Sequence, residues 1–196
     1  MFRLFPFKSP PPQSPPTLKT ERLILRPLRA EDAASVYRLI DRNRDEFSHW
    51  FTWSRTTTFE SVRNNLRGAR HHMNAGTEWH YGMFLPDGTL VGRVGLSAIS
   101  KRDRTAELGY WIGRQYAGQG LMTEAGKAFV ESAMAGPAST RIDAYADVEN
   151  RASQRVLQKL GFVRVETVVA AVMHPERGWR NHEHFVRARI MTAGTR

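Results

Sequence analysis

The order of apolar patterns along the 196 residues predicts a mixed α/β domain, in which a largely antiparallel sheet carries helices on both faces. Strand-like runs outnumber helical ones. Three of the strand-like runs follow one another between residues 77 and 113, separated only by short polar turns, which is typical of an antiparallel meander. A helical pattern then lies between two further strand-like runs, which indicates a crossover unit with one parallel strand pair. The predicted element order is β α α β β β α β α β β.

The N-terminal segment has its own composition. Residues 1–19 hold six of the ten prolines, so we expect a flexible arm there and a single domain over residues 20–196. Arg22–Leu28 alternates as a first strand, and Glu31–Arg42 follows as an amphipathic helix with acidic residues in its first turn.

An aromatic connector, DRNRDEFSHWFTWSRTT, comes next and shows no clean period. Thr57 and Glu60 then predict a capping box for a second helix that ends near Ala75.

The second half of the chain alternates more regularly. The predicted elements are strands at 78–85, 90–100 and 106–113, a helix from Leu121 to Gly136-Pro137, a strand at 141–146, a helix from Asn150 to Gly161, and strands at 162–173 and 183–191.

Composition excludes several classes of chemistry. The chain has no cysteine, which rules out a disulfide framework, a thiolate zinc site, an iron–sulfur cluster and a cysteine nucleophile. No metal is expected either, since His71-His72 and His182-x-His184 lack a third ligand at a telling spacing. No apolar run is long enough for a membrane helix and prolines interrupt the N-terminus, so we expect a soluble, cytoplasmic protein without a membrane partner.

The net charge of +10 comes mainly from arginine. The arginines are scattered rather than clustered on one helix face, which disfavours nucleic acid as the main partner. Steering of an anionic cofactor or an acidic protein partner explains the same sign.

The segment Gln115-Tyr116-Ala117-Gly118-Gln119-Gly120 follows a predicted strand and opens a helix. Its glycines allow a sharp turn with outward-facing amides, which is typical of a phosphate-binding loop. A dinucleotide fingerprint would need a glycine where Thr123 stands, and a nucleoside-triphosphate loop would need Gly-Lys-Ser/Thr.

Taken together with Glu107-Leu108-Gly109-Tyr110-Trp111, Asn150-x-x-Ser153 and Leu160-Gly161-Phe162, this loop resembles the GCN5-related N-acetyltransferase (GNAT) superfamily. The aromatic connector is similar to that of the ribosomal-protein-serine/alanine N-acetyltransferase (RimL/RimJ-like) branch. The resemblance covers about residues 18–191. It implies the GNAT fold, in which the strand before the loop bulges and splays from its parallel neighbour to receive the pantetheine arm of acetyl-CoA.

The resemblance also implies site residues. Glu107 would be the base that deprotonates the amine, and Ser153 the group that protonates the leaving thiolate. Alternatively, Ser153 is only a residue of the helix start that caps the backbone. Glu124 is expected to stabilise its helix start. The cofactor would contact Trp111, Ile112, Gly113, Gln115, Tyr116, Ala117, Gly118, Gln119, Gly120, Leu121, Asn150 and Ser153. Trp50, Phe51 and Trp53 would form the wall of the acceptor cleft.

We therefore expect direct transfer of an acetyl group from acetyl-CoA to a primary amine, most naturally the N-terminus of a protein, with a ribosomal protein as one candidate. The alternatives are a small amine such as an aminoglycoside or polyamine, or a non-catalytic acyl-CoA-binding or nucleic-acid-binding module. Whether the protein forms a homodimer is left open. The segment from Arg180 to Phe185 lacks the acidic residue that often precedes a tyrosine in the branch, which bears on the acceptor site.

Overall fold

The computed structural model describes residues 16–135 and 140–189. Its strands are β1 (Leu18–Lys19), β2 (Ile24–Pro27), β3 (Trp79–Phe84), β4 (Leu90–Ser100), β5 (Thr105–Ile112), β6 (Arg141–Asp147), β7 (Val163–His174) and β8 (Gly178–Ala188). Its helices are α1 (Ala33–Arg42), α2 (Arg44–Trp50), α3 (Phe59–Ala75), α4 (Leu121–Ala135) and α5 (Arg151–Lys159).

All eight of these strands form one sheet in the order β1-β2-β3-β4-β5-β6-β8-β7. Every neighbouring pair is antiparallel except β5 and β6, which are parallel. That pair is in register only from Thr105–Glu107 against Arg141–Asp143, and beyond this point the two strands separate. The mixed sheet with one splayed parallel pair is thus confirmed.

The expected bulge lies elsewhere. β5 pairs with β4 without interruption from Glu107 to Ile112, and the register shift falls between Ser97 and Ser100 of β4. Ala98, at φ 48°, supplies the extra residue there, so the bulge belongs to the neighbour of the splayed strand.

Helices cover both faces, as expected. The first core cluster joins α4 and α5 to the sheet, around fully buried side chains such as Phe129, Leu157 and Phe185. The second joins α1, α2 and α3 to the opposite face and includes Trp111 of β5. Because side chains alternate along a strand, β5 contributes to both cores and its free end opens between them.

Several boundaries differ from the prediction. Leu18 and Lys19 pair with β2, so the sheet begins inside the segment predicted as an arm; residues 1–15 lie outside the described residues, as do Gly136-Pro137 and Met191. The first half of the aromatic connector is helical, as α2. The capping box of α3 is made by Thr58 with Ser61, rather than by Thr57 with Glu60.

No helix within the described ranges is long and apolar enough to cross a membrane. Nor do the described residues bring together three or more metal-ligating side chains.

Candidate functional site

The separation of β5 from β6 opens a cleft with a volume of about 1010 Å³. Its walls come from the free ends of β5 and β6, the first turns of α4 and α5, and α2. Such a volume lies at the upper end of the range for ligand pockets, which suits a long ligand that enters at one end and reacts at the other.

The glycine loop closes one end of the cleft. Gly118 and Gly120 have φ of 76° and 81°, a backbone region that side chains disfavour, and both line the cleft. The first-turn amides of α4 follow directly and have no partner within the helix. Three cations also line the cleft: Arg114, Arg155 and Lys159. Free amides at a helix start with cations nearby are the arrangement that binds a pyrophosphate.

A carboxylate outside the cleft braces this loop. Glu124 accepts hydrogen bonds from Thr20 Oγ1 (2.5 Å) and from the backbone N–H of Arg22 (2.9 Å), and forms an ion pair with the Arg22 guanidinium (2.7 Å). Arg22 in turn donates to the carbonyl of Gln119 (2.9 Å). Partial burial would raise the pKa of Glu124, but these donors outweigh it and the pKa lies below its ordinary value. Glu124 therefore holds the helix start and the loop together.

Nine of the residues expected to contact the cofactor line the cleft: Trp111, Ile112, Tyr116, Ala117, Gly118, Gly120, Leu121, Asn150 and Ser153. Gly113, Gln115 and Gln119 do not. The Gln119 side chain donates to the Gln115 carbonyl instead, at 2.9 Å.

The hydrogen bonds between β5 and β4 determine which backbone amides of β5 face the gap between β5 and β6. Gly113 N–H donates to Val91 O (2.9 Å), so that amide is taken by β4. Since hydrogen bonds alternate along an antiparallel strand, the N–H groups of Tyr110 and Ile112 point away from β4, toward the splayed side. At the free end of β5, Ile112 is therefore the residue after Tyr110 whose amide can meet a carbonyl in the gap.

Glu107 lies where β5 and β6 begin to separate. Its exposed side chain lines the cleft and hydrogen-bonds to none of the described residues. Partial desolvation raises its pKa, the nearby charge of Asp143 raises it further, and His184 offsets part of the effect. A free carboxylate with a raised pKa is suited to accept a proton.

Ser153 lies across the cleft in the first turn of α5. Asn150 caps this helix, as expected: its Oδ1 accepts from Ser153 N–H at 3.0 Å. Ser153 Oγ is 2.9 Å from Tyr110 Oη, which also donates to the Ser153 carbonyl at 3.1 Å. Burial raises the pKa of Tyr110 well above its usual value, so this hydroxyl keeps its proton. Tyr110 was not predicted as a site residue, although it lies two positions after Leu108 and therefore on the same side of β5.

The aromatic residues divide between two cavities. Trp50 and Phe51 line the cleft beside Phe47 of α2, which is buried. Trp53 lies instead in a smaller cavity of about 170 Å³, stacked on Phe51 with ring centroids 5.2 Å apart. Phe51 belongs to both cavities.

Comparison with known proteins agrees with this geometry. The family model described as "Acetyltransferase (GNAT) domain" matches residues 22–163. The chain belongs to the GNAT family. It is 31% identical over 171 residues to "Probable N-acetyltransferase YjcK" of Bacillus subtilis, covering 85% of this chain and 93% of that protein. It is 24% identical over 145 residues to the ribosomal-protein-serine acetyltransferase of Escherichia coli, covering 74% and 80% of the two chains.

Among solved structures, the fold is similar to that of RimL, a ribosomal alpha-N-protein acetyltransferase in complex with coenzyme A. The TM-score is 0.80 at 22% identity, over 89% of this chain and 97% of that one. This GNAT protein is an acetyl-CoA-dependent N-acetyltransferase. The amide-rich, cationic end of its cleft fits the pyrophosphate of that co-substrate.

The end of the cleft beside Glu107 has features that sequence patterns did not reveal. His184 is buried between two carboxylates, with Nε2 2.7 Å from Asp143 and Nδ1 3.3 Å from Glu166. Its ring stacks on that of Tyr145, which lines the cleft. Asp143 pairs directly with Glu107 across the parallel strands and also forms an ion pair with Arg141 (2.7 Å), so Glu107 lies beside a group of charged side chains.

The segment that departs from the branch pattern reaches the same end. His182 lines the cleft, and burial lowers its pKa. Arg180 forms ion pairs with Asp147 (2.9 Å) and Glu149 (2.7 Å), which fixes β8 against the end of β6.

Proposed function

We propose that this enzyme acetylates the α-amino group of a protein N-terminus, with a ribosomal protein as the target, in the cytoplasm. The observation that carries the proposal is the free carboxylate of Glu107 in an open cleft walled by Trp50 and Phe51, which leaves room for an extended chain. The names of the E. coli relative and of RimL point to the same acceptor class.

The co-substrate is held by groups already in place. The amides at the start of α4 and the loop around Gly118 would hold the pyrophosphate, with Arg114 and Arg155 adding charge. The outward N–H group of Tyr110 would bind the arm that lies along β5, and that of Ile112 remains for the thioester carbonyl. Bound acetyl-CoA supplies an activated acyl group and a thiolate leaving group.

Glu107 takes a proton from the acceptor ammonium, directly or through one water, and so exposes the nitrogen lone pair. The nitrogen then bonds to the thioester carbonyl carbon, and the Ile112 amide stabilises the negative charge that develops on the oxygen. As the carbon–sulfur bond breaks, Ser153 Oγ gives its proton to the sulfur, and Tyr110 Oη lies at 2.9 Å to stabilise the transient alkoxide. The nitrogen of the new amide releases its second proton, which returns through water to Ser153 Oγ.

An acetylation screen of the full chain tests this proposal. N-terminal peptides, aminoglycosides and polyamines are offered with acetyl-CoA, and products are identified by mass. We expect turnover of peptides, with acetylation on the α-nitrogen. If aminoglycosides or spermidine react far faster than every peptide, the proposed acceptor is wrong.

Trp50→Ala tests the wall. It should raise the peptide KM more than the acetyl-CoA KM, because Trp50 lines the acceptor end of the cleft. Trp179→Ala is the matched control, since Trp179 is 61% exposed on β8 and does not line the cleft.

A further inference from the structure

The smaller cavity lies on the same face of the sheet as Glu107. Gly109 lies two residues after Glu107 and therefore faces the same side of the sheet. Gly95 of β4 lies opposite Gly109, and His80 of β3 lies opposite Gly95. The cavity is lined by Phe51, Trp53, His80, Arg93, Gly95, Ser97, Gly109, Tyr110 and Trp111. Four of these, Phe51, Gly109, Tyr110 and Trp111, also line the cleft, so the two spaces adjoin.

Arg93 is the charged group in this cavity, and the carboxylate whose charge acts on it, Glu78, lies beyond His80 and does not contact it directly. Among the residues that the structure describes, its guanidinium has one hydrogen-bond partner, His80 Nδ1 at 2.5 Å, and no carboxylate forms an ion pair with it. By contrast, Arg26 is 2.7 Å from a carboxylate oxygen of Asp32. Burial lowers the pKa of Arg93 to about 10, so it remains charged at neutral pH.

The partner of Arg93 is itself held in one protonation state. A guanidinium can only donate, so His80 Nδ1 must accept and the ring proton must reside on Nε2. That Nε2 is 2.7 Å from the Glu78 carboxylate, to which it donates. Burial and the charge of Arg93 lower the pKa of His80 to about 4, which keeps the ring neutral. The neutral His80 thus orients the guanidinium, and the negative charge nearest to it along this chain of contacts is that of Glu78.

Two glycines make room for this arrangement. A Cβ on Gly95 would come within 2.7 Å of His80 Nδ1, so a side chain there would displace the imidazole. A Cβ on Gly109 would meet no atom within 4 Å, so Gly109 forms an open floor between cavity and cleft. The aromatic rings of Phe51, Trp53 and Trp111 complete the walls, and such walls strengthen a charge–charge contact by excluding water.

We propose that this cavity is an acceptor subsite for a carboxylate, in which Arg93 binds an acidic side chain of the substrate peptide through two parallel hydrogen bonds. The inference rests on the proposed peptide acceptor and names its chemistry. Gly109 is two residues from Glu107, a separation of about 7 Å along a strand, so the acidic residue lies one to three positions after the acetylated one. The cavity volume of about 170 Å³ suits an aspartate or glutamate side chain.

The experiment compares matched peptides that differ only by Asp or Glu against Asn or Gln at positions two to four. For the parent enzyme we expect kcat/KM about 10- to 100-fold higher for the acidic peptide, the range for hydrogen bonds to a charged group. Arg93→Gln should abolish that preference, and Arg93→Lys should restore only part of it, because an ammonium cannot form the fork. Arg67→Gln is the control: it removes the same charge from the exposed face of α3 and should leave the preference intact.

Binding of the same peptides is measured separately by tryptophan fluorescence, since Trp53 and Trp111 line the cavity. Thermal unfolding checks that each variant is folded. If Arg93→Gln does not fold, Arg93→Lys is used instead, and an unchanged preference of that variant for the acidic peptide contradicts the subsite. A parent that acetylates peptides without acid preference, or an Arg93→Gln variant that slows both peptides equally, overturns the subsite and leaves the proposed function standing. If no peptide is acetylated, the proposed function fails. In that case the binding assay decides the subsite: tighter binding of the acidic peptide that is lost in Arg93→Gln supports it, and binding without acid preference contradicts it.

Discussion

Gly118→Ala is the sharpest test of the phosphate loop. Gly118 has φ of 76°, and a Cβ there would meet no atom within 4 Å, so alanine adds conformational strain without a clash. An L-residue in this region costs about 1 to 2 kcal/mol. If the bound loop requires that conformation, the dissociation constant for coenzyme A should rise by about 5- to 30-fold, at 1.4 kcal/mol for each factor of ten.

The chain contains a matched control. Gly88, in the turn between β3 and β4, has φ of 86° and likewise has no neighbour within 4 Å of its missing Cβ, but it lies outside the cleft. Gly88→Ala should lower the free energy of unfolding by a similar amount and leave coenzyme A affinity unchanged. Isothermal titration and thermal unfolding measure both quantities. A Gly118→Ala variant that binds coenzyme A as tightly as the parent, beside a Gly88→Ala variant destabilised as expected, would refute the assignment of the loop.

The remaining predictions concern the reacting end of the cleft. Glu107→Gln should lower kcat by roughly 10- to 1000-fold with little change in coenzyme A affinity, and a variant with the parent's pH profile and plateau would place the base elsewhere. Because the folded pKa of Glu107 is raised, its ionised form is disfavoured and stability falls as pH rises through that pKa; Glu107→Gln should therefore raise the melting temperature at neutral pH and lose this advantage in acid. Desolvation is the larger cause of the raised Glu107 pKa, and the charge of Asp143 adds to it, so Asp143→Asn should move the acid limb of the kcat profile to lower pH; an unmoved limb would contradict the coupling. Ser153→Ala should lower kcat more than Tyr110→Phe does, since Tyr110 acts through Ser153; a larger loss in Tyr110→Phe would make the tyrosine the acid.

Short-range patterns in the sequence were enough for the meander and for the helices that follow the glycine loop and Asn150. These patterns gave the wrong residue where two neighbouring residues are both suitable for the same position. Thr57 and Thr58 can both begin α3. Thr58 does so because its N–H donates to Ser61 Oγ (3.0 Å) while its own Oγ1 accepts from the Ser61 N–H (3.1 Å). α2 spans seven residues and buries only Phe47 and Ser48, too short a stretch to show a helical period.

The lining of the cleft was predictable where a single segment supplies it. The loop glycines and the Asn150–Ser153 pair are of this kind. Contacts between distant segments were not predictable, because they depend on which strands become neighbours. Tyr110 meets Ser153 across 43 positions, and Asp143 meets His184 across 41, the latter because β8 returns to lie beside β6.

Strand order also explains how a basic protein can accept an amine. Glu107 of β5, Asp143 of β6 and Glu166 of β7 lie around His184 of β8, and Asp143 is also paired with Arg141 (2.7 Å). Of these carboxylates, Glu107 lines the cleft. A carboxylate beside the acceptor attracts the ammonium form of the amine but also resists its deprotonation. The raised pKa of Glu107 brings it closer to the pKa of the ammonium. Each pKa unit by which this difference shrinks lowers the free-energy cost of the proton transfer by about 1.4 kcal/mol. An α-amine titrates near 8 and a lysine near 10.4, so in one site the α-amine is easier to deprotonate by about 3 kcal/mol. A carboxylate in the role proposed for Glu107 would therefore deprotonate a chain terminus more readily than a lysine side chain.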